Sequence, residues 1–216
     1  MGESWYGAGR EIRTFFYMYF GSGLGGGLII AGRRYEGCTG NAGEIGYFPA
    51  LLSGDSGTAE ETPHVGLHFN LPRLYETLRD GGAEARTPED LDRLLSEGNP
   101  QLLAWIDSAA EYLTGLALAV EYLLDPEAIF FGGRLPERVL RELLERVRRQ
   151  LPARRIAGKV TAPRHLLATA GVDAAALGVA TLPIYEFFAP APQVLFKQGK
   201  NQPPLALNTR LAVPAT

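Results

Sequence analysis

The chain has 216 residues, a net charge of −3, 46% hydrophobic residues and one cysteine. That length is enough to bury a substantial core, as a single domain or as two small units, and the lone Cys38 excludes an intrachain disulfide and any multi-cysteine zinc site. The weakly acidic balance gives no global attraction to nucleic acid or an anionic membrane. No signal peptide opens the chain and no apolar run approaches the ~20 residues that span a bilayer, so a soluble cytoplasmic protein without a membrane partner is expected.

Trp5-Tyr6-Gly7-Ala8-Gly9 reads as a helix end capped by glycine. Phe15 to Phe20 has no polar break, which suits a strand buried on both faces. Strands are expected over Ile12 to Phe20, Leu28 to Ala31 and Arg34 to Glu36, with another short extended piece over Glu44 to Phe48. Between the first two lie Gly21, Gly23, Gly25, Gly26 and Gly27. Gly21-Ser22-Gly23-Leu24-Gly25-Gly26 fits the pattern GxGxxG, but a dinucleotide fold needs a helix straight after it, and here Leu28-Ile29-Ile30 follow. The segment is therefore strand, turn, strand. Its glycines serve either a plain hairpin turn or a cradle of exposed amides for phosphate.

His64 and His68 have the spacing of two ligands on one helix face, but Pro63 and Gly66 argue against a regular helix there. Asn70 or Pro72 opens a helix through about Arg79, with Asp80-Gly81-Gly82 as its stop. Thr87-Pro88-Glu89-Asp90 is a helix start with a threonine cap and acids in the first turn. Gly98-Asn99-Pro100 starts a long helix to about Leu124, whose apolar residues keep helical spacing. Ala128 to Phe131 is a short buried strand ending at Gly132-Gly133, followed by a helix from Leu135 or Pro136 to about Leu151. That helix is arginine-rich, but interleaved Glu137, Glu142 and Glu145 mark a solvated face rather than a nucleic-acid patch. His165 to Thr169 is one more candidate strand. Asp173 is a candidate N-cap for an Ala-rich helix, Ala174 to Ala180. After about Phe188 prolines punctuate an irregular tail. The domain expectation is thus a body over residues 1–188 and a Pro-rich tail over residues 189–216.

The glycine run, the short strand after it, and Gly37-Cys38-Thr39-Gly40-Asn41-Ala42-Gly43-Glu44-Ile45-Gly46 together resemble the core signature of the ROK family. That family contains sugar kinases and sugar-responsive transcriptional repressors. The resemblance runs from about Gly2 to about Leu182. It implies an α/β fold: one lobe of the actin-like ATPase (ribonuclease H-like, hexokinase-type) architecture, a mixed β-sheet with flanking helices. It also implies that Gly21, Ser22, Gly23, Gly25 and Gly26 form a nucleotide phosphate loop and that Glu44 reaches sugar hydroxyls. A carboxylate suits the latter role because it accepts two hydroxyl hydrogen bonds at once. DPEAIFFGGRL resembles the family's adenosine-side motif, which would place Gly132 and Gly133 near the nucleotide; a tight strand-to-helix turn explains the same pair.

The sequence departs from the family pattern in two places. In the family, Gly2-Glu3 would end a helix that begins with a Glu-Asn-Asp motif, whose aspartate is the catalytic base. Neither that motif nor the Asp-x-Gly-x-Thr phosphate loop of the first lobe is in this sequence, so no catalytic residue is assigned. Tyr47 stands where the family usually has a histidine that binds sugar and zinc, and Leu51 to Asn70 lacks the Cys-x-Cys-Gly-x-x-Gly-Cys cluster of zinc-bearing members. Zinc is not expected. Tyr47 remains a sugar contact through its phenol, and His68 is a further candidate in the sugar pocket. The resemblance leaves two functions open: the sugar-sensing part of a ROK-type transcriptional regulator, or the C-terminal half of an ATP- and magnesium-dependent sugar kinase. The expected partners are a small-molecule sugar and a second copy of the chain, with DNA contacted only through a separate N-terminal domain.

Overall fold

The architecture comes from a computed structural model that describes residues 2–49, 64–159, 161–171, 176 and 178–180. All of these lie within one unit, Met1–Thr181. Helix α1, Gly2–Tyr6, leads through a 3₁₀ turn into strands β1 (Phe15–Phe20), β2 (Leu24–Ile30) and β3 (Arg33–Tyr35). Two more 3₁₀ turns, Ile45–Tyr47 and Val65–Leu67, precede α2 (Leu71–Asp80), α3 (Pro88–Ser96) and α4 (Pro100–Leu124). Strand β4 (Ala128–Gly133), helix α5 (Glu137–Arg154) and strand β5 (Arg164–Leu167) complete the set.

The five strands form one sheet in the order β3-β2-β1-β4-β5. The β1-β2-β3 meander is antiparallel, and β4 and β5 run parallel to β1. Residues Phe16, Met18, Phe20, Leu24, Leu28, Ile129 and Phe131 join the large core formed with the helices, while Phe15, Ile29, Ala128 and Phe130 form a smaller cluster with Ile12. The alternation along β1 and β4 explains their unbroken apolar sequence: both faces of these strands are buried.

Helix starts follow their caps. Asn70 accepts from Arg73 N, Asn99 from Gln101 N and Leu102 N, and Thr87 and Asp90 form a reciprocal capping box. Where the structure differs from the sequence reading, the reason is packing. Strand β1 starts at Phe15 rather than Ile12 and β2 at Leu24 rather than Leu28. Gly25 and Gly27 are poor strand formers alone, but the ladder pairs them with Tyr19 and Tyr17 of β1 and carries β2 through them. The extended piece expected over Glu44 to Phe48 is instead a 3₁₀ turn. Helix α5 continues to Arg154, carrying Pro152 in its last turn. Of the Ala-rich helix, Ala176 and residues 178–180 are described and helical. Its cap Asp173, the residues 51–63 and the tail over 189–216 lie outside the described residues.

Helix α4 is long and apolar enough, by length and composition, to cross a membrane, which the sequence reading did not find. Half of its apolar window is nevertheless buried against the rest of the protein. Its fully buried Glu121 carboxylate is paired with Arg155 Nη2 at 2.9 Å and Lys159 Nζ at 3.2 Å. These pairs tie the C-terminal end of α4 to the chain leaving α5, where Tyr122 Oη also accepts from Ile156 N.

His165 on β5 is 8% exposed, and its Nε2 is buried without a hydrogen-bond partner among the described residues. Burial pushes its pKa down to about 4, helped by the Arg155 and Arg148 cations and opposed by Glu121. A histidine depressed in the folded state favours the unfolded chain once that chain takes up its proton. Stability is therefore expected to be full above about pH 6.5 and to fall through the window down to about pH 4, by about 3 kcal/mol in total. Denaturant unfolding of the wild type and His165→Leu at pH 7 and pH 5 checks this. The variant should lose about 2 kcal/mol less between the two pH values, and equal losses would rule the effect out.

Candidate functional site

Two groups of sequence-predicted residues come together, and β2 links them. The first lies at the carboxyl-terminal edge of the sheet. Here the ladder sets Tyr19 against Gly132 and Phe20 against Gly133, so the Gly21–Gly23 turn and the Gly132–Gly133 pair occupy adjacent strands. Ligands of open α/β sheets sit at such an edge. Gly21 N donates to Gly23 O at 2.9 Å, closing the turn, whereas Ser22 N and Gly23 N make no backbone hydrogen bond among the described residues. Gly25 and Gly26 are ladder residues of β2, not turn residues.

Gly132 and Gly133 each answer a steric demand. A Cβ on Gly132 would lie 2.2 Å from Tyr17 Oη, and one on Gly133, at φ 132°, would lie 2.2 Å from Phe20 O. The Tyr17 phenol is buried without a hydrogen-bond partner among the described residues. Burial, with the Glu3 carboxylate and Tyr19 adding to it, raises its pKa far above the ordinary phenol range.

Glu3 is the feature of this edge that sequence reasoning missed. It is 3% exposed, and no cation pairs with it among the described residues. Its carboxylate accepts instead from Ala8 N at 2.8 Å, Thr169 N at 3.1 Å, Ala170 N at 3.0 Å and Thr169 Oγ1 at 3.2 Å. The N-terminal helix is thereby fastened to the chain leaving β5. On the same side, a cavity of about 240 Å³ is lined by Glu3, Tyr17, Tyr19, Gly27, Ile29 and Arg34, among others. Gly7, which a Cβ would drive onto the Glu3 carboxylate, was the only signal of this burial in the sequence.

The second group is the loop that carries Glu44. Gly43 lies directly on the β2 backbone: a Cβ on Gly26 would meet Gly43 O at 2.4 Å, and one on Gly43 would meet Gly26 O at 2.8 Å. Gly46 sits on Leu24 in the same way, since a Cβ on Gly46 would lie 2.2 Å from Leu24 O, and one on Gly66 would lie 3.0 Å from Gly46 O. Glu44 itself is exposed, and its carboxylate has no hydrogen-bond or ion-pair partner among the described residues. Tyr47 is 73% exposed. Its ring stands 5.5 Å from that of His64, a residue the sequence reading weighed only as a metal ligand.

His68 follows the neighbouring 3₁₀ turn, half-buried, with its ring stacked 4.2 Å from Tyr112 and its carbonyl accepting from Trp105 Nε1. It and Glu44 thus stand on adjoining turns. Among the described residues no three His, Cys, Asp or Glu side chains group as a metal site requires.

A family model described as "ROK family" matches residues 1–185. This chain belongs to the ROK family. Its relatives include a beta-glucoside kinase of Listeria innocua, 28% identical over 145 residues, which are 64% of this chain and 47% of the kinase. The crystal structure of a ROK hexokinase from Thermus thermophilus superposes with TM-score 0.63 at 28% identity, covering 83% of this chain and 60% of that one. A ROK family transcriptional regulator, a homolog of the E. coli MLC protein, shares the fold with TM-score 0.64 at 18% identity, over 82% of this chain and 48% of its own. The sheet order and these superpositions establish the actin-like ATPase fold for this ROK lobe. The chain spans about half the length of the curated relatives it matches.

The seat of the Glu44 loop makes neighbouring glycines differ sharply. Gly26→Ala places a methyl group 2.4 Å from Gly43 O and 2.5 Å from the Phe16 ring, whereas Gly27→Ala meets nothing within 4 Å. In denaturant unfolding Gly26→Ala is expected to cost about 2–4 kcal/mol, and Gly27→Ala less than about 1 kcal/mol. Equal costs would dissolve the seat.

Proposed function

We propose that this ROK domain recognises a carbohydrate and is the sugar-sensing part of a ROK-type transcriptional regulator. The observation that carries the reading is Glu44: a carboxylate without a protein partner among the described residues, exposed on a loop whose backbone is pressed onto β2 at Gly43 and Gly46. Held in that way, a carboxylate loses little freedom on accepting two sugar hydroxyls. Tyr47 and His68, on the same and the adjoining turn, would add a phenol and an imidazole as further sugar contacts. Tyr47, in place of a histidine, also favours a site that uses no zinc. In this reading the body over residues 1–188 is the sugar-binding lobe, it assembles with a second copy in the cytoplasm, and DNA is contacted through another domain.

A second reading, the C-terminal half of an ATP-dependent sugar kinase, draws on the carboxyl-terminal edge. The Ser22 and Gly23 amides are available to phosphate oxygens, and Gly132-Gly133 lies one strand away for the adenosine side. Gly21 and Gly26 would shape that region through their packing, and Gly25, where a Cβ would meet nothing within 4 Å, would leave the backbone open to the phosphates. Magnesium would accompany the phosphates. This sequence does not include the Glu-Asn-Asp aspartate that would take the proton from the sugar hydroxyl, so the 216-residue chain is not expected to phosphorylate a sugar.

Calorimetry with glucose and N-acetylhexosamines tests the sugar reading. Glu44→Gln should weaken binding by roughly tenfold or more, the scale of a lost charge-assisted hydrogen bond. Unchanged affinity would remove Glu44 from the site, and turnover of any of these sugars with ATP would overturn the reading of the chain as non-catalytic.

A further inference from the structure

The residue that the site adds beyond those legible in the sequence is His64. Its backbone pairs with Pro49 in an isolated bridge, and Val65 N donates to Phe48 O at 2.9 Å. These bonds bring His64 beside the turn that carries Glu44 and Tyr47. Its Nδ1 lies 2.9 Å from Gly46 O, inside the Gly43-Glu44-Ile45-Gly46 segment. A carbonyl oxygen only accepts, so Nδ1 carries the proton, and the neutral ring presents Nε2 as an acceptor. Nε2 has no hydrogen-bond partner among the described residues and is not sealed from solvent. The ring is also held in place: Gly66 packs against both it and Gly46, and Tyr47 lies 5.5 Å away.

The geometry points to His64 as a specificity-determining residue of the sugar site. Its Nε2 accepts a hydrogen bond from one sugar hydroxyl while Glu44 accepts from others. The inference rests on the sugar reading above and extends it to the ligand's chemistry. The site presents acceptors from two side chains whose segments are joined by the His64 Nδ1 bond to Gly46 O, so it selects a sugar that donates hydroxyls toward both. A sugar that lacks one of these hydroxyls leaves an acceptor unpaired. Such an unpaired group is the strongest source of discrimination a polar site has. Gly46 O sets the tautomer, so the segment that carries Glu44 also decides which face of the imidazole the ligand meets.

Two substitutions separate a ligand contact from a structural clamp. His64→Asn places its amide nitrogen where Nδ1 stood and keeps the bond to Gly46 O, but loses the Nε2 acceptor. His64→Gln reaches the Nε2 position with its amide and gives up the clamp. The full chain is titrated calorimetrically with hexoses and N-acetylhexosamines and with their monodeoxy forms, alongside thermal unfolding.

The expected result is that His64→Asn keeps the melting temperature and loses roughly tenfold in affinity. It should lose nothing further for the one deoxy analogue that lacks the His64-bound hydroxyl, and His64→Gln should recover part of the affinity at lower stability. If wild-type binding is weakened by Glu44→Gln but not by His64→Asn, His64 is not a contact and the inference falls while the sugar reading stands. A uniform loss across all analogues with a lowered melting temperature makes His64 a clamp alone, which also overturns it. Wild-type chain that binds no member of the panel overturns the sugar reading and this inference together.

Discussion

Backbone pressed on backbone, at Gly26 and Gly43, is the constraint on which the candidate site depends. No side chain fits between β2 and the loop that follows β3, because a Cβ on either glycine would lie inside the contact distance of the other residue's carbonyl oxygen. The contact repeats at Gly46 over Leu24 and at Gly66 over Gly46, so three successive layers of chain are stacked without side chains between them. A loop held this way inherits the rigidity of the sheet. Glu44, Tyr47 and His64 are therefore displayed from a fixed platform, although they stand on irregular backbone.

The N-terminal helix is fixed by a buried acid. An ionised carboxylate taken out of water needs compensation, and Glu3 receives it from three backbone N–H groups and a hydroxyl rather than from a cation among the described residues. Those donors come from the turn after α1 and from the chain leaving β5. Removing the carboxylate would strand the Thr169 and Ala170 amides, while Ala8 N would keep its bond to Thr169 Oγ1 at 2.8 Å. The Glu121 carboxylate solves the same problem with Arg155 and Lys159. One lobe thus holds two buried acids with different partners, and in each case the acid joins segments that the sheet does not link.

Local chemistry made the helices legible. The Asn70, Thr87 and Asn99 caps, each followed by a proline in the first turn, set three helix starts that the structure reproduces. The apolar runs at Phe15 and Ala128 gave β1 and β4. What sequence could not give depends on neighbours distant along the chain. The glycines of β2 look like turn residues until Tyr17 and Tyr19 are set across from them. Glu44 to Phe48 is expected to be extended, yet with Gly43 and Gly46 packed on β2 it forms a 3₁₀ turn. The burial of Glu3 is not legible because, apart from Ala8 N, its donors lie 166 and 167 positions away. His64 could be linked to Glu44 only once its ring was seen on the Gly46 carbonyl. The family motif named the loop, but not what stands behind it.

The same contacts change what the glycine run says about function. Gly26 is required by Gly43, Gly132 by Tyr17, and Gly133 by the Phe20 carbonyl. A Cβ on Gly21 would come within 2.8 Å of the Tyr19 ring. Any protein with this packing needs those glycines, whether it transfers phosphate or only senses a sugar, so their presence does not weigh between the two readings. Gly23, Gly25 and Gly27 are different: a Cβ at any of them would meet nothing within 4 Å. Gly23 carries one of the two turn amides left without a backbone acceptor among the described residues, and Gly25 and Gly27 leave bare backbone beside the Tyr17 and Tyr19 rings. Space that the lobe itself does not fill is where a ligand or another segment of protein can approach the backbone closely. Whether the glycine edge has a chemical role in this chain therefore turns on those three positions rather than on the motif as a whole.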